Sequence, residues 1–308
     1  MRDLVFCGKG CKPDYRLLFL IVLISLGSAA RAQQPIADAN HAIALTEQGR
    51  CSEALPLLIR TLPKLTGKQN RYAAGMAETR CAMALNQQTT ALSALQQLRR
   101  EFPDDAEVMY VSVHFLSQMA MDTSRELAAK APTSPQAIRL EAEAFESQGK
   151  WDEAVGLYKG ILERNPQAPG IHYRIGQVLL SKAGETGPTD EARAEFEQEL
   201  RIDPRNASAE FVLGQLAQHA GQWDEAAGNY ARATKLDVGF AEAYLGLGMS
   251  LAGAGKFSDA VKPLESYVKL VPNDPAGHYQ LSIAYQRSGN TEGAARERAL
   301  QKQFTKQQ

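Results

Sequence analysis

Apolar residues along this chain fall into short helical stripes that come in pairs. Ile138, Ala142 and Phe145, or Ile171, Ile175 and Leu179, recur three or four apart, which places them on one face of a helix. After a turn a second stripe follows, as in Ala154, Tyr158 and Ile161. The turn itself repeats: Gly149-Lys150-Trp151-Asp152-Glu153-Ala154 returns as Gly221-Gln222-Trp223-Asp224-Glu225-Ala226. Looser copies are Gly255-Lys256-Phe257-Ser258-Asp259-Ala260 and Gly289-Asn290-Thr291-Glu292-Gly293-Ala294. The last three glycines step by 34 residues, whereas the interval from Gly149 to Gly221 is two periods plus four residues. The excess is the turn-rich stretch from Ala183 to Pro188, which lengthens the loop between two helices of one unit. Upstream, Gly49-Arg50-Cys51-Ser52-Glu53-Ala54 has the same shape and Asn86-Gln87-Gln88-Thr89-Thr90-Ala91 is a worn version. About eight units fill the chain from Pro35 to its end.

Each unit has a physical reading. Glycine suits the left-handed residue that ends a first helix, and the Asp-Glu pair puts negative charge in the first turn of the second. Pro166, Pro204 and Pro272 then stop that second helix. Ala142, Gly176, Gly214, Gly248 and Ser282 hold one place in the first helices, and Ala154, Ala192, Ala226, Ala260 and Ala294 one place in the second. Small side chains there let antiparallel helices approach closely enough for bulky neighbours to interlock.

The pattern resembles the tetratricopeptide repeat family. The best units run from Pro135 to Ala168, Ala207 to Phe240 and Ala241 to Asp274, and the likeness extends over Pro135 to Gln301. They share a glycine or alanine near position eight, a glycine before an aromatic, an alanine at position twenty and usually a final proline. The resemblance implies an all-α, right-handed superhelical solenoid. It also implies that first helices turn positions two, five, nine, twelve and thirteen toward a ligand. Carried onto this chain, that groove comprises Arg139, Glu143, Tyr173, Gln177, Leu180, Phe211 and Gln215, continuing through Gln218, Leu245, Met249, Tyr279, Ile283 and Gln286. Aromatic and aliphatic residues flanked by amides suit an extended peptide or a helix with a few apolar anchors. The alternative is that Tyr173, Phe211 and Tyr279 pack against adjacent helices with only their edges exposed.

Some positions depart from the family. Val238 replaces the usual proline, so its helix is expected to run on into the next unit. Glu199, Tyr267 and Gln301 replace a small residue, which implies looser packing or a contact of another kind. Between Ala106 and Pro132 a first helix begins at Ala106-Glu107-Val108-Met109-Tyr110, with a short partner at about Thr123 to Lys130 that lacks the glycine signature. Arg296, Glu297, Arg298, Gln301, Lys302 and Lys306 are expected to make the polar outer surface that a terminal repeat needs.

Composition adds a compartment. Arg2, Lys9, Lys12 and Arg16 precede an apolar run from Leu17 to Leu26, and Ala30-Arg31-Ala32 offers a cleavage site. The run is about 10 to 14 residues, short of the roughly 20 needed to span a bilayer. The expected organisation is therefore a signal peptide over 1–32, degenerate helical repeats over 33–134, and a repeat array with a C-terminal capping helix over 135–308. The mature chain would be exported, periplasmic or extracellular, with no membrane span. Cys7 and Cys11 would leave with the signal. Cys51 and Cys81 would remain, either joined, as an oxidising compartment permits, or as two small buried apolar residues.

The chemistry for catalysis is absent from the pattern. A formal net charge of -1 over 308 residues supplies no basic field for nucleic acid. His41, His114, His172, His219 and His278 are scattered without a metal-ligand spacing. Ser266-Tyr267-Val268-Lys269 fits a Ser-x-x-Lys pattern, but its companion motifs are missing and it falls inside a second helix. Gly246-Leu247-Gly248 and Gly253-Ala254-Gly255 follow no strand, and the repeat already accounts for Gly248 and Gly255. Asp152-Glu153 and Asp224-Glu225 recur in register at helix starts, where they complement the dipole. The expectation is a non-catalytic scaffold without cofactor or metal, holding a protein or peptide partner. The rival is a carbohydrate-binding or enzyme-accessory module, which a curved groove with Tyr and Gln side chains would also serve.

Overall fold

A computed structural model describes residues 34–184 and 189–306, all helix and turn with no strand among them. The segment read as a signal peptide, 1–32, and the inserted residues from Glu185 to Pro188 lie outside the described residues. The chain divides into two compact units, Met1–Glu126 and Leu127–Gln308.

The first unit contains α1 (34–47), α2 (Cys51–Thr61) with a 3-10 turn at Leu62–Lys64, α3 (Lys68–Ala84), α4 (Gln88–Glu101) and most of α5 (Ala106–Lys130). Gly49 and Asn86 close the first helices in the left-handed region, with φ of 75° and 55°. Asparagine tolerates that conformation better than any bulky residue, so Asn86 keeps the turn in the worn copy. Ala54 and Ala91, the small residues of the second helices, are fully buried. The core gathers Ala42, Leu45, Leu55, Leu58, Leu95 and Phe115. Cys51 on α2 is bonded to Cys81 on α3, their Cα atoms 4.8 Å apart.

α5 corrects the reading of its segment. A first helix and a separate short partner were expected, and a single 25-residue helix is found. No glycine or proline occurs between Ala106 and Lys130, so nothing in the backbone chemistry interrupts it. Val108, Ser112 and Phe115 turn one face inward, while Met109, Tyr110, Val113 and Leu116 stay exposed.

The second unit comprises five first helices, each followed by its second. They are α6 (Pro135–Ser147) with α7 (Trp151–Arg164), α8 (Ile171–Ala183) with α9 (Thr189–Ile202), and α10 (Ala207–His219) with α11 (Trp223–Leu236). α12 (Ala241–Gly253) with α13 (Phe257–Leu270) and α14 (Pro275–Arg287) with α15 (Thr291–Thr305) complete the series. Ala154, Ala192, Ala226, Ala260 and Ala294 are each 0% exposed. Opposite them the small residues of the first helices meet a large side chain from the second. A Cβ on Gly176 would lie 2.7 Å from the Phe196 ring, one on Gly214 2.9 Å from Tyr230, and one on Gly248 2.4 Å from Leu264. Tyr230 is also covered from the following repeat, where a Cβ on Gly246 would come within 2.6 Å of its ring. The ring thus lies between two bare stretches of backbone.

Helix ends follow local chemistry. Ser134, Asn206, Asp274 and Asn290 cap α6, α10, α14 and α15 by accepting backbone amides. α11 stops at Leu236 although proline is missing, which overturns the expectation that it runs on. Asp237 makes the stop, its carboxylate accepting the Gly239 amide at 2.8 Å, and Val238 projects into solvent at 75% exposure.

The unusual residues at the ends of second helices make specific contacts. Glu199 is 0% exposed, and its carboxylate accepts the amides of Gly170 and Tyr173, at 2.8 and 3.3 Å, at the start of its own repeat's first helix. The Tyr267 hydroxyl donates to Asp274 Oδ2 at 2.6 Å. Burial and that bond push the Tyr267 phenol up. Burial works against the Asp274 anion, yet Tyr267 and the amides of Ala276 and Gly277 hold its pKa below the usual carboxylate value. Glu297 is not part of the polar outer surface: it is buried, 2.7 Å from His278 Nδ1, whose Nε2 lies 2.9 Å from the Pro272 carbonyl. One turn of helix separates Glu297 from the buried Ala294, which brings it inward, whereas Arg296, Arg298, Lys302 and Lys306 are exposed.

Candidate functional site: the faces of the first helices

Positions five, nine and twelve stand at i, i+4 and i+7, so each first helix offers them as one stripe. Neighbouring first helices α10, α12 and α14 are in direct contact, which brings their stripes side by side. The structure sorts the expected residues into two chemically different stretches.

Toward α6 and α8 the stripe is polar and internally bonded. Arg139 Nε lies 3.3 Å from Glu143 Oε1, and Arg174 reaches the same carboxylate at 3.5 Å and Glu146 at 3.3 Å. Tyr158 donates its hydroxyl to Glu146 at 2.6 Å. Burial, then this bond, pushes the Tyr158 phenol up to about 12. Arg174 also meets the Gln177 amide oxygen at 3.5 Å, and Gln177 donates to the Tyr173 hydroxyl at 3.1 Å. Arg174 and Glu146 were not among the expected site residues, although they tie two repeats together. The signal for them was a charge at position six facing acids at positions nine and twelve of the preceding unit.

Toward α10, α12 and α14 the stripe is uncharged. Phe211 is half-buried, its ring 4.7 Å from Phe240 and 5.6 Å from Tyr230. Tyr173 is likewise half-buried, edge-on to Phe196 at 5.4 Å. Those two rings serve the packing between helices and show only part of their surface. Tyr279 is different, at 51% exposure. Leu180, Leu245, Met249 and Ile283 are half-exposed, and Gln215 and Gln286 are open to solvent. The Gln218 amide oxygen is occupied inside the repeat by the Tyr230 hydroxyl, at 2.7 Å. The same bond joins Tyr158 to Glu146 two units earlier, so these position-twelve residues hold their own second helix as well as facing outward.

Side chains of types that carry chemistry elsewhere have structural partners in this chain. His172 Nδ1 is 2.6 Å from Glu195, at the places that His278 and Glu297 fill in the last repeat. Ser266 donates to the Lys262 carbonyl at 3.1 Å, and Asn206 caps α10. Among the described residues no group of three or more His, Cys, Asp and Glu could hold a metal ion, and no helix is long and apolar enough to cross a membrane.

Fold and repeat pattern together define a helical-repeat protein, and comparison with known proteins gives the family. Two tetratricopeptide repeat profiles match, one over residues 139–207, 183–237 and 211–275, the other over 78–105. The chain belongs to the tetratricopeptide repeat family.

Similar solved structures include YrrB, described as a tetratricopeptide repeat protein with an unusual peptide-binding site. It is 22% identical, with a TM-score of 0.50 over 59% of this chain and 91% of YrrB. Residues 41 to the end of MamA from Desulfovibrio magneticus are 19% identical, with a TM-score of 0.50 over 56% of this chain and 96% of that one. Among curated proteins, the cytochrome c-type biogenesis protein CycH of Bradyrhizobium diazoefficiens is 30% identical over 92 residues. The match covers 30% of this chain and 25% of CycH, so the chain spans about a quarter of that relative.

Proposed function

We propose that this protein is a non-catalytic, exported scaffold that holds a peptide or helix of a protein partner along the first helices of its second unit, working in the cell envelope or outside the cell. The observation that carries this reading is the uncharged stripe of Leu245, Met249, Tyr279 and Ile283. These residues keep apolar surface open on adjoining helices, while the polar stretch around Arg174 is already bonded to itself. Exposed apolar side chains in register, bordered by the free amides of Gln215 and Gln286, offer anchors and hydrogen bonds in the combination that peptide recognition uses. The peptide-binding site named for YrrB and the biogenesis role in the name of CycH are in keeping with a protein-holding function. The basic and apolar N-terminal pattern, with its small-residue cleavage site, supports export.

The test is affinity capture from the native cell envelope with the natural chain and with Met249, Tyr279 and Ile283 all changed to Ala. The triple variant is expected to remain helical by circular dichroism and to lose its partner. Retained capture would reject the groove. Binding to an oligosaccharide array in place of a peptide library would reject the peptide as ligand.

A further inference from the structure

A trough lies within the first unit, on residues other than those of the first-helix stripes. Ser52, Pro56, Ile59 and Arg60 follow one side of α2 at helical spacing, and Leu85 and Gln87, where α3 turns into α4, stand against them. The trough between them measures about 600 Å³, within the size range of ligand-binding clefts. Leu55 lines it from the core, at 2% exposure, while Ile59 and Leu85 keep 46% and 38% of their surface open. Two polar groups on its wall are uncommitted. Pro56 sits inside α2 and has no amide hydrogen, so the Ser52 carbonyl one turn back receives no helical hydrogen bond. Arg60 is exposed and forms no ion pair among the described residues, whereas Arg50, at the other end of the helix, is bonded to Glu53 at 2.6 Å. Both walls are tied together at their base. Cys51 immediately precedes Ser52, and its bonded partner Cys81 accepts the amide of Leu85.

We propose that this trough binds an extended peptide segment in which aliphatic side chains stand next to a carboxylate. The aliphatic groups cover Ile59 and Leu85, the carboxylate pairs with the Arg60 guanidinium, and a peptide N–H donates to the Ser52 carbonyl. The free carbonyl favours a peptide over a fatty acid, which brings the apolar chain and the carboxylate but no donor. Charge fixes the polarity of the occupant, since a segment bearing lysine in place of the acid would meet an unpaired guanidinium.

The experiment uses the full chain and a fluorescein-labelled synthetic peptide, Gly-Leu-Leu-Ile-Glu-Gly, with binding read by fluorescence anisotropy. The peptide is expected to bind, and its Glu-to-Gln counterpart to bind about tenfold more weakly, the difference made by one charge-assisted hydrogen bond. Arg60→Gln should erase that difference, and Ile59→Asp should remove binding altogether. The chain with Met249, Tyr279 and Ile283 changed to Ala should bind this peptide as the natural chain does. Decanoate should fail to compete. The proposal is overturned if the peptide does not bind, if both peptides bind equally, if Arg60→Gln leaves the preference intact, or if decanoate displaces the peptide. Loss of binding in the triple variant would also overturn it, by placing the peptide on the other unit. Arg60 lies on the surface, so Arg60→Gln decides the matter even if Ile59→Asp impairs folding.

Discussion

Glu78 puts a carboxylate where Ile175, Leu213 and Leu281 occupy the corresponding place in later first helices. It is 8% exposed, and its Oε2 has no hydrogen-bond partner. Burial raises its pKa, because the charged form loses hydration and nothing replaces it. For a carboxyl raised in the folded state, the favourable contribution is complete below the unfolded value and is lost as pH climbs through the folded one. The natural protein therefore bears a cost at neutral pH. Glu78→Gln should raise the stability at pH 7.5 by about 1–2 kcal/mol, the scale of one poorly satisfied buried polar group. The gain should shrink as the pH is lowered toward 4, and thermal melts of both chains across that range would show it. A melting difference independent of pH would refute the account. Nothing in the sequence flagged this residue, because a single acid in a helix reads as a solvated position until the packing around it is known.

Between elements, contact is governed by glycines that face rings. Tyr230 fills the space left by Gly214 on one side and Gly246 on the other, so its burial depends on two repeats at once. Burial pushes its phenol up to about 12. Gly246→Ala would place a methyl group 2.6 Å from a ring that Gly214 backs on its other side, well inside van der Waals contact, and should destabilise by about 1–3 kcal/mol. Urea unfolding followed by circular dichroism would measure it, and an unchanged midpoint would mean that α11 and α12 can separate freely. Much at this scale was readable beforehand: the helix pairs, the left-handed glycines and the five buried alanines all follow from a period visible in the residues. The failures have physical causes. α11 ends without its proline because Asp237 forms a turn through its side chain, and periodicity does not register a single hydrogen bond. α5 continues where a break was expected because an absent glycine, not a present motif, decides it. Glu199 and Glu297 point inward because partners distant in sequence wait for them.

At the scale of the whole chain the two units differ in what stabilises them. The second repeats a contact between a small residue of a first helix and a large side chain of its partner, as in Gly176 with Phe196, Gly214 with Tyr230 and Gly248 with Leu264, whereas the first has a covalent link across 30 residues between Cys51 and Cys81. Changing both to Ser should lower the stability of the first unit by about 2–4 kcal/mol, as expected for opening a loop of that length. The second unit should keep its own transition in the same thermal scan; equal melting of natural and Ser-substituted chains would mean that the link contributes nothing. The candidate groove was legible only as a set of positions. Sequence gave each residue its face of a helix, but the division into a bonded polar stretch and an open uncharged one depends on Arg174 reaching back across a repeat boundary. The same is true of the trough beside α2, whose parts come from segments that share no motif.

The clasp made by Glu199 has a practical consequence. Because that carboxylate fastens the end of α9 to the beginning of α8, the pair is closed at the side away from the loop that carries the four extra residues. That loop is consequently the natural port for foreign cargo. A short epitope tag inserted between Gly187 and Pro188 should leave the melting temperature of the second unit within about a degree or two, since lengthening a connection that the sequence already extends by four residues adds only a logarithmic entropy penalty. Glu199→Ala, which removes the clasp and strands the amides of Gly170 and Tyr173, should instead lower that temperature clearly, and comparing the tagged protein with this variant by calorimetry would tell whether the port is real.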